Sequence, residues 1–305
     1  MRPRRGTTAL AGVLPIDKPG GITSHDVVAA IRTATGEGRV GHAGALDPMA
    51  TGLLVVLLGR ATRLEQYLVG HDKCYDARIV FGTTTDTLDA DGTVIESAPV
   101  PSAVHDPAAA ERLLATFIGT YLQTPPGYSA IKVSGVAAHR RARAGESLEL
   151  APRPVTITAA GLVAVDACSN AWDVSFTVSK GTYVRSLARD IGRAAGTVAH
   201  LAALRRTSVG TLELGRAVTL DAAMERAAAG TLEACFVDPV PLLGLPTVEA
   251  PPDGHRDGAL VDDPETGRPT GQRVALTTPE GLLGIYVASA DALRAETVFV
   301  PEVHR

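Results

Sequence analysis

The chain has 305 residues and a formal net charge of -4; 45% of its residues are hydrophobic and 20% are charged. This length and composition suffice to bury a core, which excludes a disordered protein. The longest apolar run, residues 53–58, is far shorter than the roughly 20 residues of a membrane-spanning helix, and the N-terminus lacks the apolar core of a signal peptide, so we expect a cytoplasmic protein. Three widely separated cysteines, Cys74, Cys168 and Cys235, indicate neither a disulfide framework nor a metal cage.

Charge is distributed unevenly along the chain. Residues 1–127 carry 11 basic and 13 acidic side chains, residues 128–216 carry 12 and 6, and residues 217–305 carry 6 and 14. The middle third, with a net charge of +6, is typical of a face that binds an anion, although chance clustering on a solvated surface is the alternative.

The N-terminal elements are predicted from turn and cap residues. Residues 1–10 are basic without an apolar period and should form a flexible tail. A short strand, VLPI, leads into a turn over residues 18–21 that we expect to expose Lys18. A helix should then begin at Thr23 or Ser24 and end at Gly36. The run LLVVLL is continuous rather than periodic, so it fits either a buried strand or a helix.

The central region mixes strands and helices irregularly. Alternating residues 74–81 predict a strand, a turn follows at residues 89–92, residues 107–118 predict a helix and residues 123–128 a loop. Strands over 156–165 and 172–181 precede a helix over 182–196, which places apolar and basic side chains on different sides: Val184, Leu187, Ala188 and Ile191 against Arg185, Arg189 and Arg193. This order favours an α+β fold.

The composition shifts near residue 240 toward proline, glycine and acidic residues. We therefore predict a tail over residues 1–10, a main domain over 11–240 and a small β-rich C-terminal domain over 245–305.

One carboxylate, Asp47, lies in the glycine-rich stretch GHAGALDPMATG of residues 41–52. An Asp before Pro can be a helix N-cap with Pro at the first helical position. However, Gly41, Gly44 and Gly52 allow a partner to approach the backbone closely, and His42 is nearby, so Asp47 could equally serve a substrate.

Three other side chains have a structural and a functional interpretation. If SKGTYVRS is extended, Tyr183 and Arg185 project to one face; otherwise Tyr183 is a core aromatic and Arg185 a surface charge. Tyr75 could be an ordinary strand aromatic or a platform on which a base stacks.

The remaining acids and glycines predict no other chemistry. Asp86, Asp89 and Asp91 are interpreted as turn formers rather than as a glycosidase pair. The sequence has no phosphate-binding glycine loop in a strand-to-helix context and no histidine pair with zinc spacing.

Five separated motifs between residues 12 and 215 resemble the TruB family of RNA pseudouridine synthases. They are GVLPIDKPGGITSHDVV, GRVGHAGALDPMATGLLVVLLGRATR, QTPPGYSAIKVSG, SKGTYVRSLARDIG and AHLAALRRTSVG, in the family's order. The departures are Ala43, where Thr or Gly is more usual, and His139, where a Tyr-containing version is common.

The resemblance implies that Asp47 is the catalytic aspartate and that His42 helps to hold a flipped uridine. Tyr75 would stack on the uracil and could accept a proton, Tyr183 would line the pocket, and Arg185 would pair with the catalytic carboxylate. Asp47 could attack C1′ of the ribose or assist glycal formation at C2′, and the sequence does not separate these routes. Further substrate-binding residues are implied. Lys18, with Pro19, matches a motif that supports the active-site loop, Leu204 matches an apolar pocket residue, and Arg205 and Arg206 would contact phosphate. An RNA-gripping insertion over residues 123–146 would add Arg140, Arg141 and Arg143.

The implied fold is the α+β pseudouridine synthase fold: a mixed, mainly antiparallel sheet with flanking helices and a central cleft, followed by a small β-rich PUA-like domain. The implied substrate is uridine-55 in the T-arm stem-loop of tRNA, flipped from its stack before reaction. No cofactor, metal or obligate protein partner is expected, and the protein should be a monomer. An RNA-folding module, and a synthase directed by a guide RNA or acting on ribosomal RNA, are the alternatives.

Overall fold

The computed structural model describes residues 8–128, 132–133, 136–137, 150–250, 261–263, 268–289 and 292–304. Most of the predicted tail, and Arg140, Arg141 and Arg143 of the predicted insertion, lie outside the described residues. The chain forms two compact units. Unit 1 comprises Met1–Pro48, Gly52–Gly70 and Gly210–Arg305, and unit 2 comprises Met49–Thr51 and His71–Val209.

Strands dominate the described residues. In chain order they are β1 Gly12–Lys18, β2 Val40–His42, β3 Thr51–Leu58, β4 Lys73–Phe81, β5 Thr83–Thr85, β6 Val94–Ser97, β7 Gly119–Gln123, β8 Lys132–Val133, β9 Val136–Ala137, β10 Arg153–Asp166, β11 Ala171–Val178, β12 Ala199–Val209, β13 Leu212–Glu213, β14 Val218–Thr219, β15 Thr247–Glu249, β16 Val261–Asp262, β17 Arg273–Thr278, β18 Gly281–Ser289 and β19 Ala292–His304. The helices are α1 Ser24–Thr35, α2 Glu65–Leu68, α3 Pro107–Ala115, α4 Val184–Ala194, α5 Leu220–Ala228 and α6 Val240–Leu243, with short 3-10 helices at Gly59–Leu64, Ser102–His105, Leu214–Arg216 and Leu232–Cys235.

Unit 1 contains the strand order β14–β1–β3, with β2 also paired to β3. Strands β1 and β3 are antiparallel from Gly12 opposite Leu58 to Lys18 opposite Gly52. The ambiguous apolar run is thus a strand, and each of residues 53–58 is at most 2% exposed. Because successive side chains point to opposite faces, burial at every position means that both faces of β3 are covered, which explains why the run does not alternate.

Helix α1 begins and ends as its sequence predicts. Thr23 is the N-cap: its hydroxyl accepts a hydrogen bond from the Asp26 backbone N–H, and the Asp26 carboxylate accepts one from the Thr23 backbone in return. The Thr23 hydrogen bonds hold the pKa of Asp26 below its usual value. The helix closes at Gly36, whose φ of 70° is favourable for glycine. Val27, Val28 and Ile31 form its buried side.

Unit 2 contains the antiparallel order β12–β4–β11–β10–β7. Strand β4 alternates as predicted, with Tyr75, Ala77, Ile79 and Phe81 on the more buried face. Trp172 packs on Phe81 with ring centroids 4.6 Å apart, and its indole N–H donates to the Val104 carbonyl at 2.7 Å. This hydrogen bond satisfies the one polar atom of a large side chain that is 1% exposed.

The C-terminal part of unit 1 is β-rich, as predicted. Its five-stranded sheet has the order β15–β17–β18–β19–β16 and a core that includes Leu276, Leu283 and Tyr286. The Tyr67 hydroxyl is 2.8 Å from the Thr297 hydroxyl, and this hydrogen bond attaches the sheet to α2 within the same unit.

The sheets are mixed and mainly antiparallel: β1–β14 and β15–β17 are parallel pairs, whereas the long ladders of both units are antiparallel. This architecture confirms the predicted α+β class. Among the described residues, no helix is long and apolar enough to cross a membrane.

Candidate active site

Asp47 lies on the connection between β2 and β3 in unit 1. Residues 43–50 contain no helix, so the N-cap interpretation of Asp47 and Pro48 is wrong. The connection leaves β2 at His42 and enters β3 near Gly52, and Gly44 and Gly52 have φ of 93° and 97°. These left-handed conformations are favourable for glycine, which explains the glycines around the carboxylate.

The backbone on both sides of Asp47 is held by hydrogen bonds. The Ser24 hydroxyl, at the start of α1, donates to the Leu46 carbonyl at 3.1 Å and accepts from the Leu46 N–H at 2.8 Å. On the other side, the Pro48 carbonyl accepts from the Gly21 N–H at 2.9 Å. Asp47 itself is partly buried. A carboxylate on a fixed loop of this kind can serve as a nucleophile or a base without first ordering its backbone.

Lys18 supports the same loop rather than pointing into solvent. Its side chain is fully buried, so the expectation that the turn exposes it is wrong. Its Nζ donates to the carbonyls of Ile22 at 2.7 Å, Pro19 at 2.8 Å and Pro48 at 3.3 Å. A buried cation requires hydrogen-bond acceptors, and three backbone carbonyls directed at the ammonium supply them.

His42 occupies the end of β2, opposite Val56 of β3. Its ring meets that of His25, in the first turn of α1, edge to face with centroids 6.3 Å apart. Unit 1 therefore places Asp47, His42 and Lys18 on segments that α1, β2 and β3 hold in place.

One face of the unit 2 sheet carries the predicted pocket residues. Tyr75 of β4 lies opposite Phe176 of β11 and Arg206 of β12, and Leu204 lies opposite Ala77, two positions along β4. Opposed residues on antiparallel strands share a face, so Tyr75, Leu204 and Arg206 project to the same side. Their exposed fractions are 8%, 7% and 1%.

The two adjacent arginines of β12 do not share a face. Arg205 lies opposite Asp76 and its guanidinium donates to the Thr51 hydroxyl at 3.3 Å, whereas Arg206 is on the Tyr75 side. Strand alternation therefore directs the two side chains to opposite faces of the sheet. Arg206 is almost fully buried, and phosphate contact by either arginine stays a prediction.

A second buried cation, Lys73, lies on this face. Its side chain is 7% exposed. Burial, and secondarily the charge of Arg206, lower the pKa of Lys73 to about 8.

Arg185 is buried in the first turn of α4. Because the helix begins at Val184, the backbone is no longer extended at Arg185, and the proposed alternation with Tyr183 does not apply. Nor is Arg185 a surface charge, since it is 5% exposed. Its guanidinium donates to the carbonyls of Thr87 at 2.9 Å and Tyr128 at 3.0 Å.

Asp89 is an acid that faces Arg185 within unit 2. The two are 3.4 Å apart, and their side chains are 7% and 6% exposed, respectively. Asp89 also accepts from the Thr87 hydroxyl and the Asp91 N–H, so the interpretation as a turn former is correct but incomplete. The pairing of Arg185 with Asp47, which belongs to unit 1, stays a prediction.

Tyr183 is the N-cap of α4 and has no side-chain capping bond. Its backbone is bonded instead to buried Gln123, which the sequence did not single out. Gln123 precedes the Pro125–Pro126 pair, where only a loop was evident. Its burial at the end of a strand was not visible in that pattern.

Among the described residues, no group of three or more His, Cys, Asp or Glu could hold a metal ion.

Two family models match the chain. The model of the TruB family pseudouridylate synthase N-terminal domain covers residues 32–184, and that of the tRNA pseudouridylate synthase B C-terminal domain covers residues 185–237. The second match ends before the five-stranded C-terminal sheet begins at Thr247.

Curated bacterial relatives are similar over most of the chain. A tRNA pseudouridine synthase B from Thermobifida fusca is 50% identical over 216 residues, which is 69% of this chain and 73% of the relative. A tRNA pseudouridine synthase B from Opitutus terrae is 46% identical over 222 residues, 73% of this chain and 89% of the relative.

Solved structures share the fold at lower identity. An H/ACA RNP bound to a substrate RNA containing 2′-deoxyuridine includes a chain with a TM-score of 0.69 at 23% identity, covering 94% of this chain and 84% of that one. A Cbf5-Nop10-Gar1 complex gives a TM-score of 0.68 at 24% identity, with the same coverage. The fold, the family models and the bacterial relatives together establish that the chain belongs to the TruB family of pseudouridylate synthases.

Proposed function

We propose that this protein is a tRNA pseudouridine-55 synthase that acts alone on the T-arm stem-loop. The observation that carries the proposal is the geometry of the Asp47 loop. On one side of Asp47, Leu46 is hydrogen-bonded to the Ser24 hydroxyl; on the other side, the Pro48 carbonyl accepts from the Lys18 ammonium. The relatives that are about half identical to this chain have the name tRNA pseudouridine synthase B, which supports tRNA as the substrate.

The reaction is an isomerisation. The N1–C1′ bond of the uridine breaks, the freed uracil turns, and C5 bonds to C1′; C5 loses a proton and N1 gains one. No atom is added or removed overall, so the chemistry consumes no cofactor. Asp47 would enter either as the nucleophile at C1′ or as the base that removes the C2′ proton to give a glycal.

The other site residues would hold the flipped nucleotide. Tyr75 and Leu204 share one sheet face, which is suited to stacking and apolar contact with an extruded base. Tyr183 would line the pocket, His42 would hold the nucleotide, and Arg185 would keep the Asp47 carboxylate ionised.

Recognition would depend on the shape of the T-loop and a few unstacked bases, as is usual for RNA. The net charge of +6 over residues 128–216 supports phosphate contact in this part of the chain, where Arg140, Arg141 and Arg143 belong to the predicted insertion. We place the enzyme in the cytoplasm, as a monomer.

The test is incubation of the purified protein with an unmodified T-arm hairpin and with a hairpin carrying cytidine at the target position. Nuclease digestion and chromatography would then measure pseudouridine. We expect product from the uridine hairpin alone, without guide RNA or accessory protein.

Absence of product despite tight hairpin binding would contradict the proposal. It would favour an RNA-folding module, or a synthase that requires a guide, over a stand-alone enzyme. Product from ribosomal RNA but not from the hairpin would contradict the assignment of the T-arm as substrate.

A further inference from the structure

Gln123 is a fully buried amide at the point where β7 ends and the loop toward Tyr128 begins. Its side chain is 1% exposed. A buried amide has donors and an acceptor that must find partners inside the protein, so the identity of those partners indicates what the residue is for.

Gln123 uses both ends of its amide on Tyr183. Its Oε1 accepts from the Tyr183 N–H at 2.9 Å, and its Nε2 donates to the Tyr183 carbonyl at 3.2 Å. The second Nε2 proton goes to the Tyr121 hydroxyl oxygen at 2.7 Å. A flipped amide would set NH₂ against the Tyr183 N–H, so these hydrogen bonds determine the orientation of the side chain.

These bonds fix the backbone from which the Tyr183 phenol projects. Tyr183 has φ of -98° and ψ of 110°, outside the helical region, and it lacks a side-chain cap of its own. The Gln123 amide holds the N–H and the carbonyl on the two sides of the Tyr183 Cα. It therefore restricts rotation about both backbone torsions, which set the direction of the Cα–Cβ bond and limit the rotamers open to the phenol.

Helix α4 is also joined to the loop after β7 by hydrogen bonds that do not involve Gln123. The Ser186 hydroxyl donates to the Thr124 carbonyl at 2.9 Å, and the Arg189 guanidinium donates to the same carbonyl at 3.0 Å. These bonds join the helix to the loop after β7 independently. Removal of the Gln123 amide should therefore loosen Tyr183 while leaving the helix in place.

We propose that Gln123 is a positioning residue for pseudouridine formation: its amide clamps the Tyr183 backbone so that the phenol is held ready against the flipped uridine. This inference rests on the proposed function. Gln123 acts through Tyr183 and does not itself contact the reacting atoms.

The test compares three variants with the unmodified enzyme. Gln123→Met keeps an unbranched side chain of similar length but removes all three hydrogen bonds. Gln123→Glu keeps an acceptor for the Tyr183 N–H and removes the donor to the Tyr183 carbonyl. The matched control, Ser186→Ala, removes a buried hydrogen bond between the same helix and the same loop without touching Tyr183.

Each protein is assayed for hairpin Kd, for the single-turnover rate of pseudouridine formation at saturating enzyme, and for thermal midpoint. We expect Gln123→Met to slow the single-turnover step by about 10- to 100-fold, since small misplacements of a site group have effects of this size, with Kd changed less than about threefold. Ser186→Ala should keep the rate within about threefold and lower the thermal midpoint less than Gln123→Met, because Arg189 still donates to the Thr124 carbonyl. Gln123→Glu should slow the same step, because its carboxylate accepts from the Tyr183 N–H but sets an oxygen against the Tyr183 carbonyl.

Equal rate reductions in Gln123→Met and Ser186→Ala would overturn the inference, because they would show a general effect of destabilisation. An unchanged rate in Gln123→Met would overturn it as well. If Gln123→Met does not fold, Gln123→Glu takes its place in the comparison. A rate for Gln123→Glu equal to that of Ser186→Ala would then overturn the inference. If the unmodified enzyme forms no pseudouridine, the proposed function and this inference are both overturned. If it forms pseudouridine, the rates of the variants alone decide whether Gln123 positions Tyr183.

Discussion

The buried ammonium of Lys18 should be essential to the Asp47 loop, and Lys18→Met tests this directly. Methionine has nearly the same length and no charge, so it fills much of the same space while removing both the hydrogen bonds and the buried charge. The carbonyls of Pro19 and Ile22 would lose bonds of 2.8 and 2.7 Å, and the Pro48 carbonyl would lose one of 3.3 Å.

The size of the effect follows from two opposing contributions. Hydrogen bonds from a charged donor contribute about 1.5–3 kcal/mol each, so the two short bonds amount to about 3–6 kcal/mol. Removing a buried cation also relieves a desolvation penalty, which offsets part of this amount. A net destabilisation of about 2–4 kcal/mol should lower the thermal midpoint by roughly 5–10 °C.

The matched control is Lys73, the other lysine that is buried among the described residues. Its ammonium donates to the His71 carbonyl, and its pKa is lowered to about 8 because burial and Arg206 disfavour the charge. Lys73→Met therefore removes an unfavourable charge along with its bond, and the midpoint should change by less than about 2 °C. Differential scanning fluorimetry on the two variants and the unmodified chain measures both shifts. Equal midpoints for Lys18→Met and Lys73→Met would refute the reasoning.

Three further predictions concern the basic and acidic groups of unit 2 and the insertion. Folding lowers the pKa of Lys73 from 10.5 to about 8, so the protonated form is disfavoured in the folded state. The thermal midpoint of the unmodified chain minus that of Lys73→Met should therefore increase as pH rises from about 7.5 to about 9.5. A decrease of this difference over the same pH range would contradict the prediction. Asp89→Asn should destabilise the protein by about 1–3 kcal/mol, because the buried Arg185 guanidinium loses a charged partner but keeps its carbonyl acceptors. Chemical denaturation measures this change, and an unchanged free energy of unfolding would contradict it. A double variant, Arg140→Ala with Arg141→Ala, should weaken hairpin binding and reduce the salt slope by about 0.7–0.9 for each phosphate that is no longer neutralised; an unchanged slope would place these arginines away from RNA.

Local structure could be predicted wherever the chain carries its own signal. The Thr23 cap, the Gly36 stop and the alternation in β4 are short-range features, and each is confirmed. The run over residues 53–58 could not be resolved between helix and strand, because a segment buried on both faces has no polar period to report its geometry.

The predictions that failed depend on partners distant in sequence. Lys18 was expected in solvent, but its Pro48 acceptor lies 30 residues away. The alternative interpretation of Arg185 as a surface charge also fails, because the carbonyls of residues 87 and 128 accept its hydrogen bonds in the interior. Local patterns carry no information about such acceptors, and a buried charge is recognisable only when they are known.

The roles of Asp89 and Gln123 were missed for a related reason. Asp89 fits a turn by its neighbours alone, and only the fold brings Arg185 to it. Gln123 stands before a pair of prolines that indicates a loop, and its burial becomes evident only from its bonds to Tyr183.

The most direct test of the central claim is the Asp47→Asn variant, measured for pseudouridine formation and for hairpin binding beside the unmodified protein. The substitution removes the reacting carboxylate and changes almost no volume. We predict no detectable pseudouridine from the variant, with hairpin Kd within about threefold of the unmodified protein, because phosphate and base contacts made by other residues supply the affinity. Pseudouridine formation by Asp47→Asn at the rate of the unmodified protein would contradict the catalytic role assigned to Asp47.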